Sequence, residues 1–370
     1  MYLPQFHITK ENDEWWGKGF TDWVNVKNAE PLYLGHRQPR VPLDDNYYDL
    51  SKPEAIHWQA DLANAYSVYG FNIYHYWFDG KLILNIPKEI LLRNADINLR
   101  FSLIWANERW TTRWDGAQEK VLMEQTHEPS IEKWEEHFMY LLPFFQDARY
   151  IKVENKPIFT VYRPHLVKKL EEMIRYWQRR AKECGLEGVY MIAAKSYEYP
   201  DPSILDSFDA CMYFQPAEAI NSPAYLGKGA TARKLLRRLP EGVLNWMRKL
   251  NKSARTAYKT YDYDAICKCI VESEDEYLNK PVLPSLFLEW DNTARYKQRA
   301  AIYQGCTPER FEYWLDRLCR KVSATPGKER IIFINAWNEW AEGTYLEPDT
   351  VTGYRYLEAI ERCVSRYSVE

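Results

Sequence analysis

Glu339 and Glu342 stand three residues apart in the stretch Asn335–Asp349, N-A-W-N-E-W-A-E-G-T-Y-L-E-P-D, with Trp337 and Trp340 beside them. Paired carboxyl groups move protons at a glycosidic bond, and flat indole faces stack on sugar C–H faces. In an extended strand an odd offset sends the two glutamates to opposite faces. To meet one ligand they must sit on a bend or a first helical turn, where an offset of three brings side chains together. Gly343 gives the backbone that freedom. The spacing does not set their separation, which divides retention (~5–5.5 Å) from inversion (~6.5–9.5 Å). The alternative is that Glu342 caps the last helix and the tryptophans are core. Other chemistries lack their motifs. The chain has no H-E-x-x-H, its 7 histidines are scattered, and no G-x-S-x-G, Walker or dinucleotide fingerprint is visible. Neither a metal nor another cofactor is expected.

The elements that must position this pair follow from apolar runs. Arg330–Ile334 reads as a buried strand leading into the stretch, and Gly353–Tyr367 carries helical apolar spacing after it. Further strands are expected at Met1–Gln5, Gly70–Trp77, Arg100–Ala106, Pro157–Tyr162, Val189–Ala194, Phe208–Phe214 and Val282–Leu288. Helical stretches are expected at Pro53–Tyr69, Lys88–Asn94, Ser130–Phe145, His165–Cys184, Tyr263–Leu278 and Thr307–Val322, while Phe6–Asp49 reads as a long irregular loop. Alternating strand and helix implies parallel pairing, and eight such units make the expected fold class α/β, a (β/α)₈ TIM barrel in one domain over 1–370. An open doubly-wound sheet is the competitor, but no Gly-rich phosphate loop follows any strand.

In such a barrel functional groups gather just after the strands. The candidate ligands there are His7 after the first strand, His75, Tyr76 and Trp77 after the second, and Asn107, Glu108 and Trp110 after the third. Tyr162 and Arg163 follow the fourth, Trp290 and Asp291 the seventh, and Asn335, Trp337 and Asn338 join the glutamates at the eighth. Asn107 and Asn338 would meet sugar hydroxyls, and Trp77, Trp110 and Trp337 would stack on rings. Each also has a structural reading as a turn residue or buried hydrogen-bond partner. Glu108 is a third carboxylate or a partner for Arg109 or Arg113.

Composition sets the surroundings. Net charge is −3, which carries no nucleic-acid signature, and aromatic residues make up 15% of the chain, which suits an aromatic-lined cleft. The 7 cysteines are odd in number and never spaced C-x-x-C, so reduced thiols and a cytoplasmic location are expected. No signal peptide opens the chain, no apolar run approaches the ~20 residues of a membrane span, and the chain reads as starting inside its first strand, as if trimmed. An insertion at about 215–260 breaks the alternation. It is rich in Lys and Arg interleaved with leucines, and Pro240 splits it into two short helices. Such material either lies on an anionic membrane surface or covers one end of the barrel as a solvated insertion.

Five long motifs then carry a family resemblance. Y-L-P-Q-F-H (Tyr2–His7), E-N-D-E-W-W-G-K-G-F-T-D-W-V-N-V (Glu11–Val26), W-A-N-E-R-W-T-T-R-W-D-G (Trp105–Gly116), W-D-N-T-A-R (Trp290–Arg295) and the closing Asn335–Asp349 stretch resemble the WbsX-type family of bacterial polysaccharide proteins. That family looks related to glycoside hydrolase family 99, the endo-α-mannosidase-like barrels, whose E-W-x-E-G-T arrangement falls on Glu339 and Glu342. The resemblance implies retention through a 1,2-anhydro sugar. Glu339 would deprotonate the sugar 2-hydroxyl, and Glu342 would act as general acid and then base. It departs at Ala341, where the hydrolases tend to carry His. The partner it implies is an oligosaccharide or polysaccharide, free or lipid-linked. WbsX-type proteins are also labelled glycosyltransferases of O-antigen or capsule synthesis, so transfer stays open beside hydrolysis or transglycosylation. A non-catalytic glycan-binding barrel is the third reading.

Overall fold

The computed structural model describes residues 1–111, 120–197, 199, 201–226, 258–273, 280–325 and 330–367. Phe71–Phe78 and Phe101–Trp105 are buried at every position, as parallel strands covered on both faces must be. Phe71–Phe78 pairs in parallel with Phe101–Trp105. The ladder continues in parallel through Lys156–Val161, Tyr190–Lys195, Ala210–Tyr213 and Val282–Leu283. Ser285–Phe287 pairs in parallel with Phe333–Asn335.

The expected Val282–Leu288 strand is therefore divided at Pro284, which has no N–H to give a neighbour; its carbonyl accepts from the Phe333 N–H at 3.0 Å. The expected Met1–Gln5 strand is reduced to a bridge. Tyr2 N donates to Asn72 O at 3.0 Å, and Tyr2 O accepts from Tyr74 N at 3.1 Å. On its other side Met1 N donates to Ile334 O at 2.8 Å, and Met1 O accepts from Trp337 N at 2.8 Å. The result is an α/β fold whose central strands are mostly parallel.

Helices start where their caps stand. Ser130 Oγ accepts from Lys133 N at 3.2 Å ahead of Ile131–Gln146, and Thr307 Oγ1 accepts from Arg310 N at 3.2 Å ahead of Pro308–Ser323. Pro53 opens the helix Pro53–Ala65. The helix expected from His165 begins instead at Leu170, because Pro164–Leu166 closes a separate 3₁₀ turn. Between the helices and the sheet lies a herringbone of rings: Phe159 meets Trp177 at 5.4 Å and Phe145 at 6.0 Å, both edge-on.

Two loops shape the rim that carries the site. The long Phe6–Asp49 segment is not wholly irregular; it holds the short helices Lys10–Trp16 and Asp22–Lys27. Its later part is tied to the segments that follow Ser285–Phe287 and Phe333–Asn335. Arg37 pairs with Glu289 and Asp349, Arg40 with Glu289, and His36 Nε2 lies 2.7 Å from Asp291 Oδ2. Beyond Ser285–Phe287 the chain builds a side sheet that the apolar pattern does not announce. In it Ala301–Gln304 pairs in parallel with Lys259–Asp262 and antiparallel with Trp290–Asp291. Residues 227–257 lie outside the described residues, and with them most of the expected basic insertion; Trp114 and Asp115 do too. Among the described residues no helix is long and apolar enough to cross a membrane.

Candidate active site

Past Asn335 the chain folds into a small hairpin in which Asn338–Glu339 pairs antiparallel with Thr344–Tyr345. Its tip is the 3₁₀ turn Trp340–Glu342, the bend that an offset of three requires if both glutamates are to meet one partner. Gly343 closes the turn at φ 65°, and a Cβ there would stand 2.9 Å from Asp291 O and 3.0 Å from Asp291 N. Glycine is needed twice over, for left-handed backbone and for close approach. Gly343→Ala is expected to cost about 2 kcal/mol or more in urea unfolding and to lower activity as the turn shifts.

Both glutamates face Arg295, which the side sheet and the short helix Thr293–Tyr296 hold at the rim. Arg295 Nη1 donates to Glu342 Oε1 at 2.7 Å, while Nη2 donates to Asp22 Oδ2 at 2.5 Å and to Glu339 Oε2 at 3.3 Å. One guanidinium thus serves three carboxylates. Burial pushes the Glu339 carboxyl up to about 8, with Arg295 opposing and Glu342 and Asp22 adding to the rise. Glu342 is raised by burial too, again against Arg295. Four tyrosines share this field. Tyr74 and Tyr76 feel the charge of Glu339, and Tyr74, Tyr162 and Tyr303 that of Glu342, which with burial keeps their hydroxyls protonated and able to donate. Among the described residues no group of three or more His, Cys, Asp or Glu is placed to hold a metal ion.

Several expected ligands have partners inside the protein. Trp337 is 1% exposed and gives its indole N–H to Glu347 Oε1 at 2.9 Å, so it lies under the turn rather than open to a sugar ring. Trp340, Tyr48 and Gln59 also donate to Glu347, at 2.6, 2.8 and 2.7 Å. Asn338 joins Leu3 N, Leu3 O and the Tyr48 hydroxyl, and Asn335 donates to Gln215 O. Asn107 ties two strand ends through Arg163 N at 2.7 Å and Arg163 O at 2.9 Å. Asp291 accepts from His36, Gln38 and Thr293 and steadies the loop over Gly343. These side chains are engaged by the protein's own groups.

Alternation along one strand explains where two more of them lie. In Phe71–Phe78 successive side chains point to opposite faces. Tyr74 and Tyr76 take the inner face beside Glu339, so His75 and Trp77 point into the helix layer. There His75 Nε2 meets His137 Nε2 at 2.9 Å and Trp77 stacks on His137 at 4.6 Å. His7 is fully buried, with Asp49 and Lys88 as its charged neighbours, and burial lowers its imidazole to about 4. The remaining candidates stay on the rim. Trp110 packs edge-on against Tyr76, and Trp290 against Tyr303. Arg163 lies over the Tyr162 ring at 3.9 Å and donates to Glu108 Oε1 at 2.9 Å. Glu108 is thus an ion-pair partner of Arg163, and Arg113, one of its expected partners, lies outside the described residues.

The model of the family described as Glycosyltransferase WbsX matches residues 1–360. The chain belongs to the WbsX glycosyltransferase family. It is 34% identical over 369 residues to the uncharacterized protein WxcX of two strains of Xanthomonas campestris pv. campestris, covering 99% of this chain and 49% of that protein. This WbsX chain therefore spans about half the length of the curated relatives it matches. Its fold resembles a GH99 endo-α-mannosidase from Bacteroides thetaiotaomicron, with TM-score 0.55 and 14% identity over 99% of this chain and 96% of that one. A glycoside hydrolase-like protein matches with TM-score 0.54 and 12% identity over 90% of each chain. The identities are low, so these two likenesses speak for the fold alone.

Four residues around the glutamate pair escape the reading of strand ends: Asp22, Tyr74, Arg295 and Tyr303. Asp22 and Arg295 lie inside two of the quoted motifs, T-D-W and T-A-R, but nothing in either motif says that they meet. Tyr74 was findable, since it shares a face with Tyr76 two residues on. Tyr303 sits in the side sheet and had no signal.

Proposed function

We propose that this chain acts on glycosidic bonds of a bacterial polysaccharide or oligosaccharide, using Glu339 and Glu342 on the rim of a (β/α)₈ barrel completed through Met1–Leu3. The observation that carries it is a pair of upshifted glutamates, Glu339 buried at the end of its strand and Glu342 half-buried in the adjoining 3₁₀ turn, with neutral tyrosines in their field. The favoured chemistry is retention through a 1,2-anhydro sugar. The 2-hydroxyl gives its proton to Glu339, its oxygen attacks C1, the C1–O glycosidic bond breaks, and the leaving oxygen takes a proton from Glu342. Water or a second glycan hydroxyl then gives its proton to Glu342 and opens the ring at C1, while O2 recovers its proton from Glu339. Ala341, the departure from the hydrolase motif, is the fully buried middle residue of the turn.

Transfer from a nucleotide sugar is the second reading, favoured by the family's description. The charges described on this rim support it less well. A diphosphate needs cations, yet Arg37, Arg40, Arg163 and Arg295 are each paired with carboxylates. The D-x-D spacing at Asp262-Tyr263-Asp264 is also occupied. Asp262 caps a helix through Ala265 N, and Asp264 takes Arg310 and the Trp314 indole. Purified protein incubated with free or lipid-linked bacterial oligosaccharide is expected to release new reducing ends without any nucleotide sugar. Turnover seen only when a nucleotide sugar is added would overturn the proposal in favour of the transferase.

A further inference from the structure

The three carboxylates around Arg295 are not served equally. Nη1 has Glu342 as its carboxylate partner at 2.7 Å, whereas Nη2 is shared, with Asp22 at 2.5 Å and Glu339 at 3.3 Å. Glu339 therefore receives the weakest contact, and its side chain is the less exposed of the pair, 10% against 20% for Glu342. Asp22 is fixed in turn by Asn25 Nδ2 at 3.0 Å on the same short helix, so it holds the guanidinium by its far end. A carboxylate buried beside two others and served last by the shared cation is the one that takes up a proton.

We propose that Asp22 and Arg295 form a positioning clamp that places the shared proton of the glutamate pair on Glu339 and keeps Glu342 ionised while no glycan is bound. This deepens the proposed function and rests on it for its catalytic meaning, though not for its test. Its consequence is a proton transfer within the site. The roles implied by the family resemblance need Glu339 ionised and Glu342 protonated, so a bound glycan must move the proton from one to the other before the first bond breaks. A sugar hydroxyl that donates to Glu339 while the Arg295–Glu342 contact loosens would do this, with no net gain or loss of protons.

The charged and titratable groups facing the pair are Arg295, Asp22, Tyr74, Tyr76, Tyr162, Tyr303 and the Met1 nitrogen. The tyrosines stay neutral through the range in question, so Asp22 and Arg295 are the two charges that variants can change. Asp22 raises the carboxyls and Arg295 lowers them. Removing each charge must therefore move the titration in opposite directions, which damage to packing alone would not do.

The test needs no substrate. Infrared difference spectra of the protonated-carboxyl stretch, taken through neutral and mildly alkaline pH, report only carboxyls that still hold protons there. The wild type should show a component titrating near 8, apart from that of Glu347 near 7. Glu339→Gln should remove the component near 8. Asp22→Asn should lower its midpoint by about one pH unit or more, and Arg295→Gln should raise it by a similar amount. Loss of the component in Glu342→Gln with survival in Glu339→Gln would overturn the assignment. So would shifts of the same sign, or none, in the Asp22 and Arg295 variants. If Arg295→Gln does not fold, Asp22→Asn and Glu339→Gln still decide. Reducing-end release is measured separately, so the proton assignment and the glycosidic reading can fail independently.

Discussion

Glu342→Gln is expected to lower the rate of reducing-end release by about 10²–10⁴-fold while the protein still retains glycan in affinity electrophoresis. The substitution keeps the size of the side chain and its place at Arg295 Nη1 but removes the proton exchange at the leaving oxygen. Glu339→Gln should cost at least as much, because the 2-hydroxyl then has no base. A non-catalytic glycan binder would show unchanged behaviour in both variants. Rates within about tenfold of wild type would reject the pair as acid and base, since a positioned general acid or base contributes more than that.

The second large effect is on stability, at a buried carboxyl held by four donors. Glu347 is buried and accepts from Tyr48, Gln59, Trp337 and Trp340, so Glu347→Ala leaves four buried donors without their acceptor. Each unsatisfied donor costs about 1–3 kcal/mol, and with relaxation and water entry a total on the order of 3–5 kcal/mol is expected in urea unfolding. The pH dependence has a definite sign. Burial lifts the Glu347 carboxyl from its ordinary 4.5 to about 7, although its four donors pull the other way. The folded state therefore binds this proton more tightly than the unfolded chain, so the contribution is fully present below about 4.5 and is lost as pH rises to about 7. Glu347→Gln cannot titrate. The stability gap between wild type and Glu347→Gln should shrink across that window and stay level above it, as calorimetry at mildly acidic and mildly alkaline pH will show. A gap independent of pH would mean that Glu347 is ionised throughout.

The parts of this molecule that were legible in its sequence are those written locally. Glu339, Glu342 and Gly343 lie within five residues, and the offset together with the glycine requires the turn that is found. The buried strands announce themselves because parallel strands under helices are apolar on both faces. What could not be read was set by encounters at long range. Asp22 and Arg295 are 273 residues apart, on short helices inside two different loops, and no period or propensity brings them together. The contacts of the asparagines are hidden for a related reason. An amide after a strand looks the same whether it will meet a sugar or, like Asn107 and Asn338, a neighbouring strand end. His75 and Trp77 mislead for a simpler one. Position along the chain groups them with Tyr76, whereas a strand sorts its side chains by parity.

That sorting makes the Phe71–Phe78 strand a two-sided part with a fixed phase. Its even-numbered tyrosines serve the glutamates, and His75 and Trp77 serve a buried imidazole pair in the helix layer. Inserting or deleting a single residue in the strand would exchange the two sets. Imidazole and indole would then face the carboxylates, and phenol hydroxyls would press into an apolar layer with no place for them. Cleft and core would be lost in the same step, whereas substitutions at positions 74 and 76 could retune what the cleft accepts and leave the helix layer untouched. In this strand, length is the conserved quantity to look for among relatives, and the inner side chains are where their specificities can diverge.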